Sequence, residues 1–381
     1  MLPPELLENI FSHVEDQPTL YNLTRVGNRA LYKAATPFLY AEPIIDGSNF
    51  DAFVRAICPS VNAHIRTNGL AELVRALDMS RLVHNSSKSL TARILGRVKG
   101  NLEAFVAPQA SFGINCLAAL SKCTKLQLLD LSFVSESIAM SDLLHSTASL
   151  PKLRILHLPR SSGQETHNRP IKEGTWPTKL GELHISGGLS DESVVALTAL
   201  PQSVISLSIG NCTRLSMLTI RPLLEMRGPQ LQSLEIVAPI TALQVTRGPL
   251  NNVLNWAPNL AYLKISVDFL TADFLGVDEN DIVIDENTLL HYSLKTLYLH
   301  CFDPTQCEDL NVQHVLIGIL HGILVGVRIL GIHQRLGWRD NDYWINHLVS
   351  INTALEEHAR KDGPEAEISV EDAGIRFFGQ R

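Results

Sequence analysis

A six-residue phrase recurs ten times along this chain: an apolar residue, two variable positions, a second apolar residue, one variable position and a third apolar residue. The copies begin at Val74, Leu102, Leu126, Leu153 and Leu180, and continue at Val204, Leu231, Leu260, Leu294 and Val327. Successive starts lie 24 to 34 residues apart. At that period one unit cannot bury its own apolar face and must stack on its neighbours. Stacked arrays meet their partners across a long repeated surface.

Within each copy, positions 4 and 6 share one face of a short strand and point inward, because side chains alternate along a strand. Positions 3, 5 and 7 then point outward. Roughly 20 residues return the chain to the next strand, and several returns carry helical spacing with capping residues. Helices are expected from Ser190, from Ser141 and from Asn311. One strand and one helix per coil, stacked in parallel, predict an α/β solenoid with its strands on the concave side.

Composition narrows the partners. With 45% hydrophobic and 19% charged residues over 381 positions, the chain has the make-up of a packed globular protein. A net charge of −7 gives no reason to expect nucleic acid or an anionic membrane as its main partner. No run of eighteen apolar residues occurs; the richest stretch, Val315 to Gly331, carries His321 and Arg328, so no membrane span is expected. The chain opens on MLPPELLENI, without a basic segment or cleavage site, so no secretory signal is expected. The six cysteines form no CxxC pair and are expected to be buried and reduced, in a cytoplasmic or nuclear protein.

From residue 70 to about 335 the phrase resembles the leucine-rich repeat family. It departs from that family at position 9, where an Asn or Cys usually ties down the turn. Cys212 fits, whereas Val134, Ser161, Gly188, Pro239, Asp268 and Phe302 do not. The acidic insertion Asp278–Glu286 lacks the glycine and ligand spacing of a calcium loop and reads as a solvated loop. No metal or cofactor is expected.

The first forty-five residues are a different object. Prolines and Glu5 suit a helix start, and Leu6, Leu7, Ile10, Phe11 and Val14 fall on one helical stripe. A second stripe holds Leu20, Leu23 and Val26; a third holds Leu31, Ala34 and Ala35 and is expected to stop at Pro37. Three helices this short cannot bury so much apolar surface alone. The segment is similar to the F-box, through Leu2-Pro3, Glu5-Leu6-Leu7, Ile10-Phe11-Ser12-His13, Leu20, Leu23, Val26 and Ala35-Thr36-Pro37-Phe38-Leu39-Tyr40. It departs at Val26-Gly27-Asn28-Arg29, where the family usually has Val-Cys-Arg/Lys. The resemblance implies a three-helix domain that docks a Skp-type adaptor and, through it, a cullin and a RING protein. By matching positions, Leu2, Pro3, Ile10, Phe11, Leu23 and Val26 are the adaptor-contact candidates; Leu6, Leu7 and Leu31 are expected to be internal.

A protein target is expected on the outward strand positions. The candidates are Asp130, His157, His184, Glu235, Tyr262, Lys264, Tyr298 and His300. Ser266 and His333 at position 7, and Leu128, Ile155 and Ile329 at position 3, extend the same face. Histidines beside Asp130 invite a catalytic reading. No G-x-S-x-G, H-E-x-x-H, P-loop or dinucleotide fingerprint accompanies them, so a non-catalytic adaptor of a ubiquitin ligase is expected. The alternative is a repeat scaffold with no ligase. The expected divisions are an F-box-like domain at 1–45, a helical linker at 46–69, the repeats at 70–335 and a C-terminal cap at 336–381. In the cap, a helix is expected from Trp344 to Lys361, then one or two edge strands at Ile368–Val370 and Ile375–Phe378. Trp338 and Trp344 are expected to finish the binding surface.

Overall fold

The computed structural model describes residues 2–59, 69–82, 86–160, 176–191, 197–212, 214–237, 247–277, 293–304, 307, 309–320, 324–363 and 367–379. The chain forms two compact units, Met1–Leu183 and His184–Arg381.

The first unit opens on α1 (Pro4–Ser12), α2 (Gln17–Arg25) and α3 (Arg29–Ala41). Pro4 occupies the first turn of α1, where its missing N–H costs no bond. The amide of Thr19 donates to Asp16 at 2.8 Å and that of Ala30 to Asn28 at 2.9 Å, pairing donors that a helix start leaves open. Gly27 turns the chain between α2 and α3 with φ at 77°, a conformation that strains residues bearing a side chain. That requirement accounts for the departure from the family pattern at this position.

Leu7, Phe11, Leu20, Ala34 and Ala35 form the bundle core, with Val14, Leu23, Leu31, Phe38 and Leu39 packed around it. Pro37 lies inside α3 instead of ending it. The helix runs on because Phe38 and Leu39, past the proline, are held against that core, and packing outweighs one lost backbone bond. Beyond α3, the Arg75 amide donates to the Ala41 carbonyl at 2.8 Å and Ile44 bridges Asp78. These residues cover the first repeat strand, whose edge would otherwise be open to unwanted pairing. Helix α4 (Phe50–Ile57) buries Phe50, Phe53 and Ile57.

Strands β1 (Ala76–Asp78), β2 (Ala104–Val106), β3 (Leu128–Asp130) and β4 (Ile155–His157) follow in chain order, each parallel to the next. Leu77 faces Phe105, Phe105 faces Leu129 and Leu129 faces Leu156, so position 4 always meets position 4. The returns carry α5 (Lys88–Val98), α6 (Ile114–Leu120) and α7 (Met140–Thr147). Strand β5 (Glu182–Ser186) begins where the Gly181 and Glu182 amides donate to the Arg154 carbonyl at 2.8 and 2.9 Å.

In the second unit, β6 (Ser206–Gly210), β7 (Ser233–Val237), β8 (Tyr262–Ser266), β9 (Thr296–His300) and β10 (Ile329–His333) continue the parallel pattern. Its fully described α-helices include α8 (Met217–Arg227), α9 (Val253–Trp256), α10 (Val312–Leu320) and α11 (Asp342–Asp362). Asn311 caps α10, accepting the His314 amide at 3.0 Å. In the stretch where a helix is expected after Ser190, Asp191, Leu197 and Thr198 are helical and residues 192–196 lie outside the described residues, as does the acidic insertion at 278–286. After α11 the chain adds an eleventh parallel strand, β11 (Gly374–Phe378), beside β10. Ile368–Val370 makes no strand.

In all ten copies, positions 1, 4 and 6 are at most 2% exposed. At roughly 1.5–3 kcal/mol for each buried aliphatic side chain, these positions are the main source of cohesion. Polar side chains lace neighbouring coils. Asn259 Nδ2 donates to the Pro229 carbonyl and Ser293 Oγ to that of Pro258, each at 2.7 Å. Asp268 stands where the repeat family usually has Asn or Cys. Its carboxylate accepts the amides of Phe302 at 3.1 Å and Asp303 at 2.9 Å, so it ties down the turn of the following coil. No described helix is long and apolar enough to cross a membrane.

Candidate functional site

Two surfaces present the residues singled out from the sequence. On the helical bundle, the hydrophobic stripe of α1 divides. Leu7 and Phe11 turn inward, while Leu2, Pro3, Leu6 and Ile10 face solvent. Val26, at the end of α2, is 64% exposed, and Leu23 is half-buried against the core. Two expectations are corrected. Phe11 is 5% exposed and supports the surface from beneath. Leu6, expected to be internal, is 51% exposed, because the bundle has only α2 and α3 to cover one side of α1. Tyr21 and Tyr32 are also exposed.

The second surface is the outward side of the strands. In the first unit it brings together Asp130 on β3 and His157 on β4, with Oδ2 and Nδ1 3.1 Å apart. Burial alone would raise the Asp130 carboxyl. Hydrogen bonds from His157 and from Ser132, whose amide donates at 2.8 Å, outweigh it and hold the carboxyl down at about 2. His184 lies at the middle of β5.

In the second unit the register sets Glu235 beside Lys264 and Lys264 beside Tyr298. Glu235 accepts from Ser208 Oγ at 3.3 Å and from the Tyr262 hydroxyl at 3.1 Å, and pairs with Lys264 Nζ at 3.8 Å. Tyr262 and Tyr298 rings lie 5.8 Å apart, and Phe378 meets Tyr298 edge-on at 5.2 Å. The His300 and His333 rings lie 4.5 Å apart and tilted by 50°, with Phe378 against His333 at 5.2 Å. Burial lowers the His300 imidazole to about 4, and His333, Lys264 and Arg335 push the same way. His300 Nδ1 is buried without a hydrogen-bond partner among the described residues. This region combines aromatic edges, one carboxylate and one ammonium. It is suited to gripping a side chain by stacking and polar contact.

Sequence periodicity missed Phe378, because β11 belongs to no copy of the repeat. The strand expected at Ile375–Phe378 contains it, but nothing in that segment marks it as a neighbour of Tyr298 and His333. The same strand corrects the outward ladder at its end. All of β10 is buried, including Ile329, Gly331 and His333, since β11 and its aromatic rings cover it. Ser266 is buried as well, donating to Asp268. Trp338 is buried and takes no part in an exposed surface, whereas Trp344 is half-buried beside Tyr343 and His347. All six cysteines are free and buried, and burial pushes the Cys123 and Cys212 thiols up to about 11.

No family model matches the sequence. Among curated proteins, the chain is 29% identical over 311 residues to F-box protein YDR306C of Saccharomyces cerevisiae. That match covers 81% of this chain and 62% of the yeast protein's length. It is 27% identical over 360 residues to protein pof5 of Schizosaccharomyces pombe, covering 92% of this chain and 95% of pof5. Solved structures similar to it include the leucine-rich repeat-containing protein LegL7 of Legionella pneumophila, at 15% identity and a TM-score of 0.41, covering 80% of this chain and 97% of LegL7. The Rad7–Elc1 complex of yeast gives 12% identity and a TM-score of 0.41, covering 88% of this chain and 84% of that one. The chain thus combines a three-helix start with an α/β solenoid built on a buried three-point repeat, and it is similar over most of its length to a curated yeast F-box protein.

Proposed function

We propose that the chain is the substrate-recognition subunit of a Skp–cullin–F-box ubiquitin ligase, working in the cytoplasm or nucleus. Residues 1–45 dock a Skp-type adaptor and, through it, a cullin and a RING protein. Leu2, Pro3, Ile10, Leu23 and Val26 make the contact, with Leu6 added and Phe11 holding α1 in place. Residues 70–335 hold a protein target on the outward strand face, at Asp130, His157, His184, Glu235, Tyr262, Lys264, Tyr298 and His300, and residues 336–381 cap the array. The chain contributes no chemistry of its own. Holding the target near a ubiquitin-charged enzyme replaces a bimolecular encounter with a positioned one.

One observation carries this reading. The bundle buries Leu7, Phe11 and Leu20 yet leaves Leu2, Leu6, Ile10 and Val26 in solvent. Exposed aliphatics on a small helical domain support a protein-docking role, and the likeness to a yeast F-box protein supports a Skp-type partner. The test is co-purification of the full chain with a Skp-type adaptor and cullin. Wild type should retain both, and Ile10→Asp should lose both while keeping its thermal stability. A wild-type chain that retains no adaptor, or an Ile10→Asp chain that binds as wild type does, overturns the proposal in favour of a repeat scaffold outside any ligase.

A further inference from the structure

The second unit contains a cleft of about 270 Å³ at the end of the sheet where the strands begin. Lys295 enters it just before β9; Val325, Gly326 and Arg328 line it just before β10; His358, Lys361 and Asp362 come from the last turn of α11. Arg328 is 6% exposed. Its Nε and Nη2 donate to Asp362 at 2.7 and 2.8 Å, and its Nη1 donates to the Val325 and Val327 carbonyls at 2.7 and 2.9 Å. The cleft's one carboxylate is thereby neutralised. Lys295 and Lys361 make no ion pair among the described residues, and His358 Nδ1 is buried without a partner.

Two ordinary explanations cover part of this arrangement. The Arg328–Asp362 pair fastens α11 to the sheet. A basic residue in a last helical turn offsets the helix dipole, about half a negative charge, which accounts for Lys361. Neither accounts for Lys295, which the next coil back delivers to the same cleft. Two ammonium charges remain around one concavity in a chain of net charge −7, and they repel each other unless an anion joins them. The field leaves its mark on the neighbours. Burial first, then Arg328 and Lys361, lowers His358, while Arg328 and Lys295 hold Asp362 below the usual carboxylate range.

We propose that this cleft binds a compact polyanion of the phosphate class, held by Lys295 and Lys361 against the fixed Arg328 guanidinium. The volume lies just under the roughly 300–1,000 Å³ of ordinary small-molecule sites, which favours a pyrophosphate-sized anion over a larger ligand. This site is independent of adaptor docking and of the outward strand face.

The test is titration of the full chain with inorganic pyrophosphate in 0.15 M NaCl, followed by calorimetry and thermal melting. Wild type should bind saturably and melt at a higher temperature when loaded, with inorganic phosphate weaker. Lys295→Gln/Lys361→Gln should lose at least tenfold in affinity, and the paired Lys→Arg variant should keep binding. Should the double variant fail to fold, Lys361→Gln alone, at an exposed position, should still weaken binding. No saturable response in wild type, or an unchanged response in the glutamine variants, overturns the proposal.

Discussion

The ring of Tyr298 lies directly over Gly331, so closely that a Cβ at residue 331 would collide with it. Tyr298 is thereby laid flat between Tyr262 and the edge of Phe378. The glycine is needed for space, since its φ is unexceptional. Gly331→Ala should therefore destabilise by about 1–3 kcal/mol, the usual cost of overpacking. Tyr298→Ala/Gly331→Ala should cost less than the sum of the single changes, because removing the ring removes the clash. Urea unfolding of the four proteins checks both statements.

His300 should set one part of the acid response. Its imidazole is held at about 4, chiefly by burial and then by His333, Lys264 and Arg335, with Asp268 opposing. The unfolded value is 6.5. A group lowered on folding stabilises above its unfolded value and loses that contribution as pH falls toward the folded one. Stability should fall between about pH 6.5 and 4, by on the order of 2 kcal/mol after solvent screening. His300→Phe should flatten this part of a stability-against-pH curve.

Asp130 should act in a lower window. Its carboxyl is held at about 2 against 3.8 unfolded, so its contribution is complete above pH 4 and is lost as pH falls toward 2. About 2 kcal/mol is at stake. Asp130→Asn should be less stable than wild type at pH 6 and lose less stability on acidification from pH 4 to pH 2, read by denaturant melts at each pH.

Much of this architecture was legible from the sequence. Leu129 and Leu131 could be assigned to the core because alternation in a strand allows one face only, and ten repetitions fixed the phase. Asp268 was harder. As a mismatch to the family's Asn or Cys it promised irregularity, yet a carboxylate accepts backbone amides as an Asn carbonyl does. The full burial of the last repeat strand did not follow from periodicity. Nothing within Ile329–His333 says that a further strand from residues 374–378 will cover it, since that burial depends on a contact across α11. On the bundle, Leu6 and Ile10 share a stripe with Leu7 and Phe11. Which of them face inward depends on where α2 and α3 lie, and a stripe cannot specify that.

That division of α1 yields the sharpest contrast. Phe11 and Ile10 are neighbours in sequence and fell together as adaptor contacts, but Phe11 is 5% exposed and Ile10 is 49% exposed. Phe11→Ala should empty a site among Leu7, Leu20, Ala34 and Ala35 and cost about 3–5 kcal/mol of bundle stability. Ile10→Asp removes surface already in water and should shift stability by no more than about 0.5 kcal/mol. Hydrogen exchange of the α1 and α3 amides separates the two effects. Fast exchange in Phe11→Ala with wild-type exchange in Ile10→Asp is the expected pattern. Equal protection in both variants would place Phe11 outside the core and return it to the docking surface.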